Sequence, residues 1–178
     1  MKKQNNIPKA LVLSKTGTGL ATIRGLAAGG VKVIAAIFKK EEPVRYSSCC
    51  ELIDLCHIRA SNDLLDWLID YGKQQTSQLI LFPTSDEHAL LLAENRQLLR
   101  PHYIFWNNSH DALLQIINKN QLYAVAKEAD VPIIPSISEP DKEQLSVWVP
   151  ENNAPYFLKP FYEGNKHSSL NQKNLILV

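Results

Sequence analysis

The feature that most constrains this chain is a regular alternation of short apolar runs with segments of helical periodicity. The apolar runs have the length of strands, and the segments between them repeat apolar residues with the three- or four-residue spacing of a helix. The pattern predicts strands at 10–14, 31–38, 53–58, 79–82 and 103–106, and helices at 20–28, 61–72, 84–99, 109–117 and 119–129.

Strands that alternate with helices form βαβ units with right-handed crossovers. We therefore predict an α/β fold with an open, mainly parallel sheet flanked by helices. Residues 79–82 (LILF) form the most apolar strand, so we expect it at the centre of the sheet. Further along, we predict a proline-bracketed strand at 131–136, a short helix at 141–148 and a strand at 156–160.

Composition excludes several function classes. The 178 residues carry a net charge of +1, which argues against a polybasic surface for nucleic acid or membrane lipid. No apolar run approaches the roughly 20 residues of a membrane span. The three cysteines, Cys49, Cys50 and Cys56, are too few and too irregular for a disulfide framework, and no histidine stands at zinc-ligand spacing from them. We expect a cytoplasmic protein with reduced thiols and no metal ligands of its own.

The first loop that could bind a ligand follows the first predicted strand, at residues 14–19. Gly17 and Gly19 would let the backbone approach an anion at a helix start. The next glycine is Gly25, so the spacing departs from the dinucleotide-binding fingerprint and a nicotinamide-dependent dehydrogenase is disfavoured. A tight strand-to-helix turn without a ligand is the alternative interpretation.

The second loop follows the most apolar strand and contains Thr84, Ser85 and Glu87. Hydroxyls and unpaired N–H groups at a helix start can hold a carboxylate or a phosphate. Glu87 could bind a substrate ammonium. The alternative is a capping box, in which Thr84 and Glu87 each satisfy the backbone N–H of the other residue.

Two lysines form the third candidate. Lys119 is predicted in the first turn of a helix, where a cation opposes the helix dipole unless an anion lies nearby. Lys159 lies inside an apolar strand, where an unpaired ammonium would be costly to bury. Two lysines from separate segments could clamp a triphosphate. The alternative for each is an ordinary exposed lysine.

The order of these segments resembles the start of the nucleotide site of ATP-grasp enzymes. The resemblance rests on NKNQLYAVAKEADVP at 118–132, on VPIIPS at 131–136, and on YFLKP at 156–160. The segments GLATIRGL at 19–26 and PTSDEHALLLAENRQLL at 83–99 are similar to the preceding domain in ligases related to carbamoyl-phosphate synthase and D-aspartate ligase.

The resemblance implies two domains: a Rossmann-like pre-ATP-grasp domain at 1–117, and the first part of an α+β ATP-grasp domain at 118–178. It implies that Lys119 and Lys159 contact ATP phosphates, with Lys159 also near the adenine. It further implies Mg²⁺ as a cofactor and a small-molecule carboxylate substrate, near Thr84, Ser85 and Glu87, that is activated as an acyl phosphate for attack by an amine or a thiol.

The sequence also departs from the family. The glycine-rich flap that follows the second lysine has one glycine here, Gly164, within 161–169, and the family's magnesium ligands lie in segments further on. Residues 175–178 (LILV) are predicted to form an unpartnered, exposed apolar strand. We expect the N-terminal part of a ligase, with no catalytic residues and no ligase activity by itself. The alternative is a non-catalytic module that binds a small ligand or a nucleotide, or pairs as a homodimer.

Overall fold

The computed structural model describes two compact units, residues 1–110 and 111–178, and each is presented by itself. The described residues are 8–106, 109–138, 141–151, 158–160 and 175–177. The division into functional domains at 1–117 and 118–178 stays a prediction.

The first unit alternates strands and helices along the chain. Its elements are β1 (Ala10–Ser14), α1 (Thr16–Ala28), β2 (Val33–Ile37), a 3₁₀ turn (Pro43–Tyr46), β3 (Glu51–Asp54), α2 (Ser61–Lys73), β4 (Leu79–Pro83), α3 (Asp86–Glu94), α4 (Arg96–Leu99) and β5 (Tyr103–Ile104).

The five strands form one parallel sheet in the order β3-β2-β1-β4-β5. Ala10 of β1 lies beside Val33 of β2 on one edge and beside Ile80 of β4 on the other. All five residues of β1 and all five of β2 are buried. The predicted α/β class with an open parallel sheet is confirmed.

The central strand is β1, so the prediction that residues 79–82 lie at the centre was wrong. β4 is an interior strand beside β1, and only Leu79 and Leu81 of its five residues are buried. An apolar composition indicates that both faces of a strand are covered by other parts of the protein. It carries no information on the order of strands within the sheet.

Side-chain alternation along β1 divides the core between the two faces of the sheet. Leu11 and Leu13 pack on the face that is covered by α2, α3 and α4, together with Leu68 and Leu92. Val12 packs on the opposite face with Ile23 of α1 and Val44 of the 3₁₀ turn. Helices therefore cover both faces of the sheet, as expected for βαβ units.

Several predicted boundaries were wrong. The third strand is Glu51–Asp54 rather than 53–58, and Leu55 enters the core just after it. The predicted helix at 84–99 is two helices that meet at Asn95, whose side-chain amide donates to the Leu91 carbonyl. α1 begins at Thr16, four residues before the predicted start at Leu20.

The second unit contains helices and a small antiparallel sheet. Its elements are α5 (His110–Ile117, beginning at the last residue of the first unit), α6 (Lys119–Glu128), β6 (Ile137–Ser138), α7 (Lys142–Glu151), β7 (Leu158–Pro160) and β8 (Leu175–Leu177).

β8 is the middle strand of this sheet, in the order β6-β8-β7. Leu177 lies opposite Ile137 on one side and Leu158 on the other. The prediction of an unpartnered strand at 175–178 was therefore wrong. Residues 131–136 form no strand; the two prolines in that segment lack the N–H that a sheet ladder needs. The segment at 161–169, where the family has its glycine-rich flap, lies outside the described residues.

The position of Leu81 on an interior strand predicts the effect of a buried charge. Leu81 is 2% exposed, and Leu81→Asp should destabilise the first unit by more than about 4 kcal/mol, because the carboxylate has no partner in the apolar core. The control Ile104→Asp, on an edge strand and 47% exposed, should cost about 1 kcal/mol or less. Urea unfolding followed by circular dichroism measures both, and equal stability of the two variants would contradict the sheet order.

Two glycines of α1 form a matched pair for a second test. A Cβ on Gly19 would stand 2.9 Å from the Ser14 Cα and closer still to its Oγ, whereas a Cβ on Gly25 would meet nothing within 4 Å. We expect Gly19→Ala to destabilise the protein by about 1–3 kcal/mol through overpacking. Gly25→Ala should stabilise it by about 0.5–1 kcal/mol through the better helix propensity of alanine. The same unfolding assay measures both, and a stabilising Gly19→Ala would disprove the close approach of α1 to β1.

Candidate functional site

The carboxyl ends of β1 and β4 are joined by one side chain. The Thr84 hydroxyl donates to the Leu13 carbonyl at 2.8 Å and accepts from the Lys15 N–H at 2.9 Å. These bonds fix the loop after β4 against the loop after β1. In an open α/β sheet, ligands bind beyond the carboxyl ends of the strands, where the strand order reverses. For this order of strands, the reversal lies between β1 and β4.

The turn from β1 into α1 is held in a strained conformation. Thr16 has a φ of 58°, in the left-handed region that non-glycine residues rarely adopt. Its N–H donates to Glu42 Oε2 at 2.9 Å, and Glu42 is only 4% exposed. The buried carboxylate therefore holds this turn in place from the segment that follows β2.

An ion pair connects the two segments at the carboxyl ends of β1 and β4. Lys15 Nζ lies 2.8 Å from Glu87 Oε2. The hydrogen bond from Lys15 lowers the pKa of the Glu87 carboxyl, so Glu87 is ionised at neutral pH. Both side chains are partly exposed, so the pair stabilises the fold by no more than about 1 kcal/mol. The two charges are therefore accessible to a ligand.

Ser85, not Thr84, caps α3. The Ser85 side chain accepts from the His88 N–H at 3.3 Å, and α3 begins at Asp86. The predicted capping box of Thr84 with Glu87 was wrong, because the Thr84 hydroxyl is bonded across to β1 and the Glu87 carboxylate is bonded to Lys15.

His88 is a buried polar side chain that the sequence analysis missed. It is 5% exposed, and its ring centroid lies 4.8 Å from that of Phe38. Burial lowers its pKa to about 4, so the imidazole is neutral at neutral pH. Its Nδ1 is buried and has no hydrogen-bond partner within the described part of the chain. A neutral imidazole has one nitrogen that donates and one that accepts, so Nδ1 is a polar atom left without a partner.

A cavity of about 200 Å³ opens beside these groups, within the first unit. Among its residues, Glu87 was predicted as a substrate ligand, and Lys15 lies in the first candidate loop at 14–19. The others come from the end of β2 and the segment after it, from the segment before α2, from α2 and from α3, and no local spacing marks them as a set. The lining residues are Lys15, Phe38, Lys39, Glu42, Ile58, Arg59, Ala60, Ser61, Leu64, Glu87, His88 and Leu91.

The glycines of the loop at 14–19 have a packing role. Gly19 lies in α1 where a Cβ would collide with Ser14, and this explains a glycine there without any ligand. The interpretation of this loop as a tight strand-to-helix turn is favoured over a phosphate-binding loop.

The two predicted phosphate ligands lie in the second unit. Lys119 is the first residue of α6, and the Asn118 side chain caps that helix by accepting from the N–H groups of Asn120 and Gln121. Lys159 is the middle residue of β7 and lies opposite Ile176 of β8. The side chain of Lys159 lies outside the described residues, so the predicted pairing of the two ammonium groups stays a prediction.

Other candidate chemistry is sparse in the described ranges. Cys49, Cys50 and Cys56 are free thiols. Arg45 lies 2.6 Å from Asp54 and holds the pKa of that carboxyl well below its usual range. No group of three or more histidine, cysteine or acidic side chains in this part of the chain could hold a metal ion. None of the described helices is both long and apolar enough to cross a membrane.

The buried neutral His88 predicts a pH dependence of stability. Its pKa is about 4 when folded and about 6.5 when unfolded, so its contribution is complete above pH 6.5 and is lost as the pH falls toward 4. The loss should amount to about 3 kcal/mol. In His88→Phe, urea unfolding at pH 7 and pH 4.5 should show a smaller difference than in the wild type. His57→Phe, in an exposed loop, controls for removal of a histidine, and an unchanged pH difference in His88→Phe would refute the assignment.

Comparison with known proteins gives matches of structure only. No family model matches the chain, and no curated protein matches it. Among solved structures, N5-carboxyaminoimidazole synthetase from Staphylococcus aureus, complexed with ADP, has a TM-score of 0.59 at 14% identity, over 96% of this chain and 46% of that one. An L-amino acid ligase from Bacillus licheniformis has a TM-score of 0.58 at 13% identity, over 95% and 45% of the two chains.

A third match is the biotin carboxylase domain dimer of the Hydrogenobacter thermophilus 2-oxoglutarate carboxylase, in complex with MgADP, ADP and bicarbonate. Its TM-score is 0.53 at 19% identity, over 88% of this chain and 35% of that one. This chain thus spans less than half the length of each of the three structures. All three are ATP-grasp enzymes. The resemblance stated from sequence is therefore confirmed as a likeness of fold, and the chain has the fold of the N-terminal part of ATP-grasp enzymes.

Proposed function

We propose that this chain is the N-terminal part of a cytoplasmic, ATP-dependent ligase that activates a small carboxylate as an acyl phosphate for attack by an amine or a thiol. The first unit binds the small-molecule substrate, and the second unit contributes Lys119 and Lys159 to the phosphates of ATP. The fold supports the general kind of enzyme. The choice of substrate site rests on the groups gathered between β1 and β4.

The observation that carries the proposal is the bridge made by the Thr84 hydroxyl to Leu13 and Lys15. It places the loop after β1 and the start of α3 at the reversal of strand order, where an α/β sheet binds its ligands. Lys15 supplies a positive charge there, and Glu87 supplies a negative one. A carboxylate substrate with an amino group would find a counter-charge for each end.

The three predicted substrate residues have different roles in this proposal. Both polar functions of the Thr84 hydroxyl are occupied, so Thr84 shapes the loop. Ser85 caps α3 and orients the helix start, whose N–H groups favour an anion. Glu87 keeps one carboxylate oxygen beyond its bond to Lys15, and it binds a substrate ammonium.

The nucleotide is assigned to the second unit. Lys119 stands at the start of α6, where the dipole of the helix adds to its charge in attracting a phosphate. Lys159 would approach the phosphates from β7. Mg²⁺, when bound with ATP, would neutralise negative charge on the phosphates during transfer. We assign no residue of this chain to the metal and none to catalysis.

A non-catalytic module is the second candidate. It is favoured by the cavity beside Glu87 and His88, whose described lining residues all belong to the first unit. In this alternative the chain binds a small ligand, or pairs as a homodimer, without transferring a phosphate.

Calorimetric titration with ATP, with and without Mg²⁺, tests the nucleotide assignment. We expect Lys119→Ala and Lys159→Ala each to weaken ATP binding by about tenfold, because each removes a charge-assisted hydrogen bond to a phosphate. Lys73→Ala, at the end of α2 and paired only with Asp70 among the described residues, should leave the affinity unchanged.

The outcomes separate the two candidates. Equal ATP affinity in the wild type and all three variants would remove the two lysines from the site. An absence of ATP binding to the wild type, combined with binding of a small carboxylate to the first unit, would favour the non-catalytic module.

A further inference from the structure

The inner part of the cavity is apolar. Phe38 at the end of β2, Leu64 of α2 and Leu91 of α3 contribute to its wall, and Leu64 and Leu91 also belong to the buried core. The cavity of about 200 Å³ has room for a single small ring with a short substituent. The apolar part of a ligand would be held here by dispersion forces and by the release of water from the cavity.

The mouth of the cavity is positively charged. Lys39 and Arg59 lie there and are exposed, and neither forms an ion pair within the described residues. Ala60 and Ser61 complete the rim at the start of α2, a helix of 13 residues whose N-terminus has no side-chain cap. The uncapped N–H groups and the two cations favour an anion at this end.

The charges of the cavity leave a small positive excess. Lys15 and Glu87 neutralise each other, and the buried Glu42 carboxylate accepts a hydrogen bond from the Thr16 N–H but keeps its charge. The imidazole of His88 is neutral. Lys39 and Arg59 together outweigh Glu42, and both lie at the rim, so a bound anion improves the electrostatic balance there and a cation worsens it.

His88 gives an independent indication of a ligand. It lines the cavity, it is 95% buried, and its Nδ1 has no partner in the described structure. A buried polar atom without a partner is uncommon in folded proteins, and it calls for a partner that the protein itself does not supply. A hydroxyl group on a ligand both donates and accepts, so it is complementary to Nδ1 in either tautomer.

We propose that this cavity is a binding site for a small amphipathic carboxylate with an apolar ring and a hydroxyl group, whose carboxylate lies at Arg59 and the start of α2 and whose hydroxyl meets His88. This site lies beside the Lys15–Glu87 pair of the proposed function, and the inference does not depend on that function. The apolar wall selects the ring, the rim selects the negative charge, and His88 selects the hydroxyl.

Three probes that share a ring separate these features. We would titrate the full chain with 4-hydroxyphenylacetate, phenylacetate and tyramine, and follow the signals of cavity residues by nuclear magnetic resonance. 4-Hydroxyphenylacetate should bind about fivefold more tightly than phenylacetate, which lacks the hydroxyl for His88. Tyramine has the ring and the hydroxyl but a cationic end, and it should bind at least about tenfold more weakly than 4-hydroxyphenylacetate.

Two variants assign the contacts. Arg59→Gln should weaken both acids by about fivefold, whereas Arg24→Gln, exposed on the helix that covers the opposite face of the sheet, should not. His88→Phe should abolish the preference for the hydroxylated acid and leave phenylacetate binding unchanged or tighter. If His88→Phe does not fold, Ser61→Tyr, a change at the exposed rim, should obstruct the cavity and weaken both acids.

Binding of tyramine as tight as that of the acids, or acid binding that is unaffected by Arg59→Gln, would overturn the inference. Tighter binding of adenosine monophosphate than of 4-hydroxyphenylacetate, with the same dependence on Arg59, would also overturn it in favour of a phosphate ligand. ATP titration of the same sample keeps the two proposals apart. ATP binding without acid binding would leave the ligase proposal standing, and acid binding without ATP binding would leave this inference standing.

Discussion

The burial of β1 on both faces and its pairing along both edges are the constraint on which the first unit depends. β2 and β4 take their register from β1, and the helices on the two faces pack against its alternating side chains. Because an interior parallel strand has no exposed edge, its end is fixed in position, and the loop that follows it begins from a rigid point. Ser14, Lys15 and Thr16 occupy that point. The short distance from Gly19 back to Ser14 shows how closely the helix follows the strand there.

The candidate site is built by connections between loops that are far apart in the chain. Thr84 joins the end of β4 to the end of β1, Glu42 holds Thr16 from the segment after β2, and Glu87 pairs with Lys15. Each contact is of ordinary strength, yet together they place charged and neutral polar groups around one apolar cavity. His88 lies where these connections meet. The burial that lowers its pKa also leaves its Nδ1 without a partner, so the same packing affects the stability of the fold and the chemistry offered to a ligand.

Local patterns in the sequence located most elements but not their partners. The loop containing Thr84, Ser85 and Glu87 was identified because it follows an apolar strand and opens a helix, and both features are local. The capping box within it was assigned incorrectly, since it competes with hydrogen bonds to residues about 70 positions away, which no local pattern contains. His88 carries no signal at all, because it looks like any histidine in an amphipathic helix. In the second unit, the strand at 175–177 was recognised from its composition, but its two neighbours on β6 and β7 were not.

The sequence by itself determined the α/β class, the parallel sheet and the likeness to ATP-grasp enzymes, because these follow from periodicity and from the order of segments along the chain. The tertiary structure alone decided that β1 is the central strand, that Thr84 bridges two loops, and that Arg59, Phe38 and His88 face one cavity. The physical reason is the range of the interactions. Periodicity reports which face of a segment avoids water, whereas strand order and cavity lining depend on which distant segments bury those faces together.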